Sequence, residues 1–384
     1  MIDVLIVGGG PSGLTLALLL LEAGHSVKVL ESRAGVSAHS RAIGIHPPGL
    51  EVLDRVGVGA SLAKQGVHIG HGLGISRNRI VAELDFGFLP VAHPFVLALP
   101  QDQTVIRLRE RLAESDPTAF LGGVEFREFT SHPGYRHVQV AGADGRPGSF
   151  DCRFLIGADG SRSAVRRKAM IPFKGRQLPD HYLMGDYPES TNFGSVAALF
   201  LHPEGIVESF PLPFGLRRWV AWIRDGESAD LSAIVARRTG FVADRLANSM
   251  YSRFLTANRF VDRMDHGGML LIGDAAHEVS PIGGQGMTLG LLDALALAPL
   301  LSRGLSATTS QMETEIIFAS WSGVRLKAAQ RAARQAHLNM RLGRPLDKRL
   351  VGSRDALVRG LLASKRFERA VASTFTMVNH EVRR

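Results

Sequence analysis

The chain has 384 residues, 45% of them hydrophobic and 21% charged, with 45 Lys or Arg against 36 Asp or Glu and a formal net charge of +9. That length buries a sizeable core and predicts two domains, or one large domain with an insertion. Its single cysteine, Cys152, excludes an internal disulfide, no Cys/His cluster has zinc spacing, and no apolar run approaches the roughly 20 residues of a bilayer span, so we expect a metal-free cytoplasmic protein.

The first predicted element is a buried strand, Val4 to Val7, running into Gly8-Gly9-Gly10-Pro11-Ser12-Gly13. In such a Gly-x-Gly-x-x-Gly turn, Gly8 permits the tight bend, Gly10 lets the backbone approach a pyrophosphate, and Gly13 lets the next helix pack on the strand. Leu14, Leu16, Ala17, Leu18, Leu20 and Leu21 make that helix apolar on most of its circumference; Asp3 in its flank, where a signal peptide carries basic residues, argues against a leader. Gly24 ends it, and Val27, Val29 and Leu30 form a strand closed by Glu31, whose carboxylate is placed for the hydroxyls of an adenosine ribose.

Beyond Arg41 a helix is predicted from Pro48 to Val56, short strands with turns over 67–100, and another helix carrying Leu108 and Leu112, entered through Leu99-Pro100-Gln101. Val138 to Val140 and Phe150 to Ile156 read as strands on either side of the turn Asp144-Gly145-Arg146-Pro147. Leu155 to Gly160 is a strand ending in a turn, followed by a basic helix start at Ser161-Arg162-Ser163; Met269 to Asp274 repeats that strand-and-turn pattern. Between them, 181–260 alternates as a separate sheet, while 285–302 and most of 312–379 read as helices.

The most specific segment is Gly273-Asp274-Ala275-Ala276-His277, followed by Pro281-Ile282-Gly283-Gly284-Gln285-Gly286-Met287. Asp274, at a strand's carboxyl end, can accept from a ribityl hydroxyl or cap the following turn. Gly283, Gly284 and Gly286 free backbone N–H groups at the start of a long helix, where they can face a flavin ring edge that turns anionic on reduction.

With the first glycine turn and Asp159-Gly160, these motifs over roughly residues 1 to 300 resemble the class A flavoprotein monooxygenases, the family of para-hydroxybenzoate hydroxylase and the phenol and polyketide hydroxylases. The resemblance implies FAD as cofactor, NADH or NADPH as a transient reductant, and dioxygen delivered through a flavin C4a-hydroperoxide to a small aromatic or polyketide-like substrate. It places Asp159 and Gly160 in a second fingerprint serving FAD and the nicotinamide cofactor, with Arg162 near phosphate, and it sets Arg41 and Gln101 close to the flavin. Pro11, Ser12, Ser32, Arg33, Gly273, Pro281 and Met287 complete the expected cofactor-binding set. No residue is assigned to catalysis, His277 being part of the flavin turn, and Tyr182, Trp219, Trp222 and His202 are left to core packing.

Two departures stand out. Thr288 stands where many relatives carry Asn, and Ile45-His46-Pro47-Pro48 lacks an arginine common in polyketide hydroxylases. At this length the thioredoxin-like domain of larger phenol hydroxylases is not expected.

The expected fold is α/β: a Rossmann-like FAD-binding domain with a parallel sheet of the glutathione-reductase type over 1–75, 96–180 and 261–320, and an inserted mixed or antiparallel substrate sheet over 76–95 and 181–260. A basic C-terminal helical region follows over 321–384, where 15 Lys or Arg face 4 Asp or Glu. The tail reads as a solvated outer face, with weak contact to an anionic membrane or an acidic partner as its other reading; nucleic acid is not an expected partner. A flavin-dependent dehydrogenase, reductase or halogenase without oxygen insertion, and a non-catalytic flavin-binding sensor, stay open as alternatives.

Overall fold

The computed structural model describes residues 1–36, 42–226 and 230–380. The strand Ile2–Val7 lies at the centre of a first sheet, with Val4, Leu5 and Ile6 fully buried. An uninterrupted apolar run suits that place, because a central parallel strand is covered on both faces. Pro147–Gly157 pairs parallel on one side of it and Val27–Glu31 on the other; Met269–Leu271 and Phe120–Gly122 extend the sheet outward, also in parallel. Pro147–Gly157 has a third partner: its first half continues an antiparallel meander with Tyr135–Ala141 and, beyond it, Glu125–His132.

The helix Pro11–Glu22 covers this sheet, with Leu14, Leu16, Leu18, Leu19 and Leu20 buried and Pro11 at its first turn, where a missing N–H costs nothing. Cys152 sits fully buried in the central sheet, and desolvation pushes its thiol up to about 12, so it packs as a small apolar group. The helix Gly286–Leu305 packs beside Pro11–Glu22. By length and composition it could cross a membrane, contrary to the expectation that no apolar segment reaches that size. Here it is a core helix, with Leu289, Leu291, Leu297 and Leu301 fully buried.

A second sheet runs in the order His277–Glu278, Met250–Phe260, Lys174–Pro188, Leu216–Ile223, Val207–Leu212, Ala197–Phe200, His71–Ser76 and Arg79–Asp85. Every described pairing in it is antiparallel except Ala197–Phe200 with His71–Ser76. Three expected boundaries therefore move. The hairpin from His71 leaves the first domain ahead of residue 75, and the second sheet takes in Lys174 onward instead of starting at 181. The boundary at 320 falls inside one helix, Gln311–Gly343, which starts at a capping box formed by Ser310 and Glu313. Charge changes there, but the helix does not break.

The C-terminal helices are more than a solvated coat. Lys365, Arg366 and Arg369 point outward, yet Ala372, Thr376 and Met377 are fully buried. Phe375 stacks on Phe86 at 5.9 Å and meets the edge of His46 at 5.8 Å. Asp355, also buried, accepts from Ser76 Oγ at 2.9 Å and pairs with Arg77 and Arg354. Part of the apolar side of this tail is thus covered by the chain itself, while Leu357, Leu361 and Phe367 stay exposed.

Candidate functional site

The three motifs, more than a hundred residues apart in sequence, finish side by side. Val7 pairs with Gly157 and Gly157 with Leu271, so the first glycine turn, Asp159-Gly160 and Gly273-Asp274 lie at the carboxyl ends of three adjacent parallel strands. In an open α/β sheet this is the edge at which ligands bind.

The first turn can be tested glycine by glycine. A Cβ at Gly8, whose φ is +115°, would overlap the Ala158 carbonyl, and a Cβ at Gly13 would overlap the Gly8 carbonyl. Both are required by close backbone approach within the protein. Gly10 differs: its φ of −81° suits any residue, and a Cβ there meets nothing within 4 Å. The fold itself gives no reason for glycine at this position, whereas a phosphate group lying against the backbone would. Gly10 also caps the helix Pro11–Glu22 without any side-chain hydrogen bond, which leaves first-turn N–H groups for a ligand.

Glu31 faces this turn. Its Oε2 accepts from the Gly9 N–H at 3.0 Å and its Oε1 from the Arg33 N–H and Nε, both at 3.1 Å, with Ser32 Oγ at 3.4 Å. Burial works to raise this carboxyl, but the hydrogen bonds from Arg33 and Gly9 outweigh it and hold it low. Among the described residues Oε2 has one partner, and it can accept a hydroxyl as well. Ser32 and Arg33 themselves are exposed.

Asp159 Oδ2 accepts from the N–H groups of Ala164 at 2.6 Å and Val165 at 3.2 Å, the first two of the short helix Ala164–Lys168, whose N-cap is Ser163. Its Oδ1 is buried without a partner among the described residues. Burial raises the carboxyl despite those hydrogen bonds and that of Ser163. Gly160 has φ +78° with open space where a Cβ would stand. An orphaned buried oxygen next to an open glycine fits a ligand better than a closed turn.

Gly273 starts a short 3-10 turn, Gly273–Ala275. A Cβ on it would come within 3.0 Å of Ser12 Oγ, and one on Gly290 would overlap the same hydroxyl. Ser12 therefore serves first as the point where the helices Pro11–Glu22 and Gly286–Leu305 interlock, and Gly290 is a close-approach glycine that sequence reasoning passed over. Asp274 keeps contact with solvent, and the protein packed beside it raises its carboxyl while His277 opposes. Its Oδ1 lies near the start of the second helix, 3.9 Å from where a Cβ of Gly286 would stand.

The loop between them is built from Gly283 and Gly284, with φ of +99° and +67°. Two successive left-handed residues turn the chain into Gly286–Leu305, whose N-terminus again has no side-chain cap. Pro281 is exposed, and Met287 is half-buried against the core. Gln101 begins the helix Gln101–Ser115, and its N–H donates to the Ala42 carbonyl at 3.1 Å. A Cβ on Gly44, which pairs with Ala98 just ahead of Leu-Pro-Gln, would stand 3.9 Å from Gly284, so that segment lies beside this loop. Arg41 lies outside the described residues.

Both sequence departures have structural uses. Thr288 is fully buried, its Oγ1 accepts from the His46 N–H at 3.2 Å, and a Cβ at Gly49 would press on it at 2.9 Å. The hydroxyl thus seats the helix Pro47–Arg55 against Gly286–Leu305. His46 Nε2 in turn meets the Gly283 carbonyl at 2.9 Å and braces the glycine loop.

Beneath the site lies a buried network that sequence reasoning missed. Asp293 Oδ2 accepts from His277 Nε2 at 2.6 Å and from the Gly273 N–H at 3.0 Å, while Oδ1 accepts from Arg325 Nε at 2.7 Å. Burial opposes ionisation, but the charges and hydrogen bonds of His277 and Arg325 hold Asp293 far below the usual carboxylate range. His277, 1% exposed, belongs to this support. A lone Asp in the apolar run Leu291 to Ala296 was the available signal.

The fold and this edge define a nucleotide-binding flavoprotein scaffold. The chain belongs to the family described as FAD binding domain, which matches residues 1–335. Among curated relatives it is similar to 6-methylpretetramide 4-monooxygenase of Streptomyces rimosus, at 33% identity over 77% of this chain and 55% of that protein, and, for a second protein of that name, at 31% over 79% and 76%. It is also 28% identical to para-nitrophenol 4-monooxygenase of Pseudomonas sp. strain WBC-3, over 78% of this chain and 77% of that one. The chain thus spans little more than half the length of some of the relatives it matches. Among solved structures, p-nitrophenol 4-monooxygenase from Pseudomonas putida DLL-E4 superposes with a TM-score of 0.87 over 100% of this chain and 99% of the other at 23% identity, which establishes the shared fold. Anhydrotetracycline hydroxylase from Streptomyces rimosus matches with a TM-score of 0.81 at 27% identity, over 100% and 76%.

Proposed function

We propose that this chain is an FAD-dependent monooxygenase that uses NADH or NADPH and dioxygen to hydroxylate an aromatic or polyketide-like small molecule. The observation that carries this reading is the alignment of three motifs at adjacent strand ends, with Gly10 open toward the space a pyrophosphate would need. The monooxygenase names of the relatives support it.

In this reading the N-terminus of Pro11–Glu22 takes the pyrophosphate, Glu31 the adenosine ribose, and Asp274 a ribityl hydroxyl. Asp159, Gly160, Gln101 and Arg41 complete the surround. Gly283, Gly284 and the start of Gly286–Leu305 offer N–H groups and a helix dipole to the ring edge that gains negative charge on reduction. FAD held by these residues would supply the redox chemistry between the nicotinamide and dioxygen.

The protein's own contribution is position and dryness. Ile282, in the glycine loop, packs with Tyr182, Met184 and Val220 of the second sheet, so an apolar sheet face roofs the loop. Such a roof excludes water from the reacting groups.

The test is turnover with a panel of phenols, following NAD(P)H oxidation, oxygen uptake and product mass together. We expect all three to move with at least one phenol, the product being heavier by one oxygen atom. NAD(P)H oxidation without oxygen uptake would replace this reading by a reductase or dehydrogenase, and no oxidation at all by a flavin-binding sensor.

A further inference from the structure

The loop-facing side of the roofing sheet carries two largely enclosed polar side chains, Tyr182 and Glu208, that make no hydrogen bond to the described residues. Strand alternation sorts its faces: Leu183, Trp219 and Val207 pack away from the glycine loop, whereas Tyr182, Val220 and Ile206 pack toward Ile282. Glu208 stands directly across from Val220 in the register of the two strands, one residue from Val207, and therefore belongs to the face over the loop. It is 7% exposed, and its side chain makes no hydrogen bond or ion pair among the described residues. On the same face, Tyr182 is fully buried with its ring stacked on Phe254 at 5.5 Å, and its hydroxyl has no partner.

The contrast within the sheet is sharp. Its other buried carboxylates are closed by arginines: Asp180 by Arg344 at 2.7 and 2.9 Å, and Asp186 by Arg218 at 2.6 and 2.8 Å. A buried carboxyl without a partner is costly, and leucine or methionine would fill the same place without that cost. Desolvation pushes Glu208 up to about 7, so both its protonation states are accessible near neutral pH. Its charge also acts on Tyr182, whose phenol is raised first by burial and then by Glu208.

We propose that Glu208 accepts a hydrogen bond from a hydroxyl of the aromatic substrate, with the Tyr182 hydroxyl as a second partner, making this face of the sheet selective for phenols and enols over their ethers. The inference rests on the reading above for the place of the substrate, between this sheet face and the glycine loop. A site built around a hydroxyl partner rejects the analogue that lacks the proton, because its own polar group is then left unpaired.

The test is calorimetric titration of the FAD-loaded protein, without reductant, with matched pairs: 4-nitrophenol and 4-nitroanisole, 1-naphthol and 1-methoxynaphthalene. We expect the wild type to bind at least one phenol about tenfold or more tightly than its ether. Glu208→Gln should shrink that ratio to about threefold or less, and Tyr182→Phe should reduce it by a smaller factor, while both variants keep their FAD. A ratio unchanged in Glu208→Gln, or a wild type that prefers no phenol over its ether, would overturn the proposal. Should Glu208→Gln fail to fold, the ratio in Tyr182→Phe decides in the same way. Because no turnover is involved, a Glu208-dependent preference without oxygen uptake would sink the hydroxylase reading and leave this assignment standing.

Discussion

Replacing Gly10 by valine is expected to give a folded, colourless protein. The backbone at Gly10 is extended, a conformation valine favours, and a Cβ there meets no described protein atom within 4 Å. Stability should therefore change little, while the space needed for a close phosphate approach is filled. We expect FAD affinity to fall at least about a hundredfold, or about 3 kcal/mol, measured by flavin fluorescence titration alongside a urea melt. A control sharpens the result: Gly13→Ala should destabilise the fold itself, since its Cβ would overlap the Gly8 carbonyl. A yellow, fully loaded Gly10→Val protein would remove the argument that this glycine exists for the cofactor.

The second large effect is expected at Asp293, which touches no ligand in our account. Asp293→Ala leaves Arg325, 3% exposed, without its carboxylate and frees the Gly273 N–H that Asp293 anchors. Removing one partner of a buried ion pair costs about 3–5 kcal/mol, to be read from urea unfolding at neutral pH. The sign with pH follows from the depressed carboxyl. Its contribution is present above the ordinary carboxylate range and is lost as pH falls through that range and below. The gap between wild type and variant should accordingly narrow on acidification, and FAD retention should weaken as the turn carrying Asp274 loosens. A variant as stable as the wild type at every pH would show that the network is dispensable.

Much of the cradle was legible because its signals are local. The run Val4 to Val7, the glycine spacing and the closing Glu31 are each set by neighbours in sequence, and they appear as a buried strand, a turn and an adjacent parallel strand. The second sheet was legible from alternation over 181–260, and Arg79–Asp85 of its outer hairpin falls within the expected 76–95; its partner His71–Ser76 was placed outside, since Gly72 and Gly74 weaken the pattern there. A change in charge near residue 320 was mistaken for a structural boundary, although helix continuity depends on capping and packing and the capping box lies at Ser310.

What stayed hidden was the product of tertiary contact. Arg325 is 32 residues from Asp293, and nothing local says that the two meet. Glu208 sits in a strand whose pattern reads as ordinary, and only the pairing register shows that it faces the glycine loop. Thr288 read as the loss of an amide; the fold uses its hydroxyl to receive the His46 N–H. The tail read as a basic coat because charge is visible in sequence, while the burial of Ala372 and Met377 is not.

The central claim is that three separated motifs converge to hold one FAD. The visible absorption spectrum of the purified protein, taken after incubation with excess FAD and removal of the unbound dye, tests it most directly. We predict flavin bands near one equivalent per chain that survive desalting. A protein that emerges colourless while giving a folded circular dichroism spectrum would contradict it.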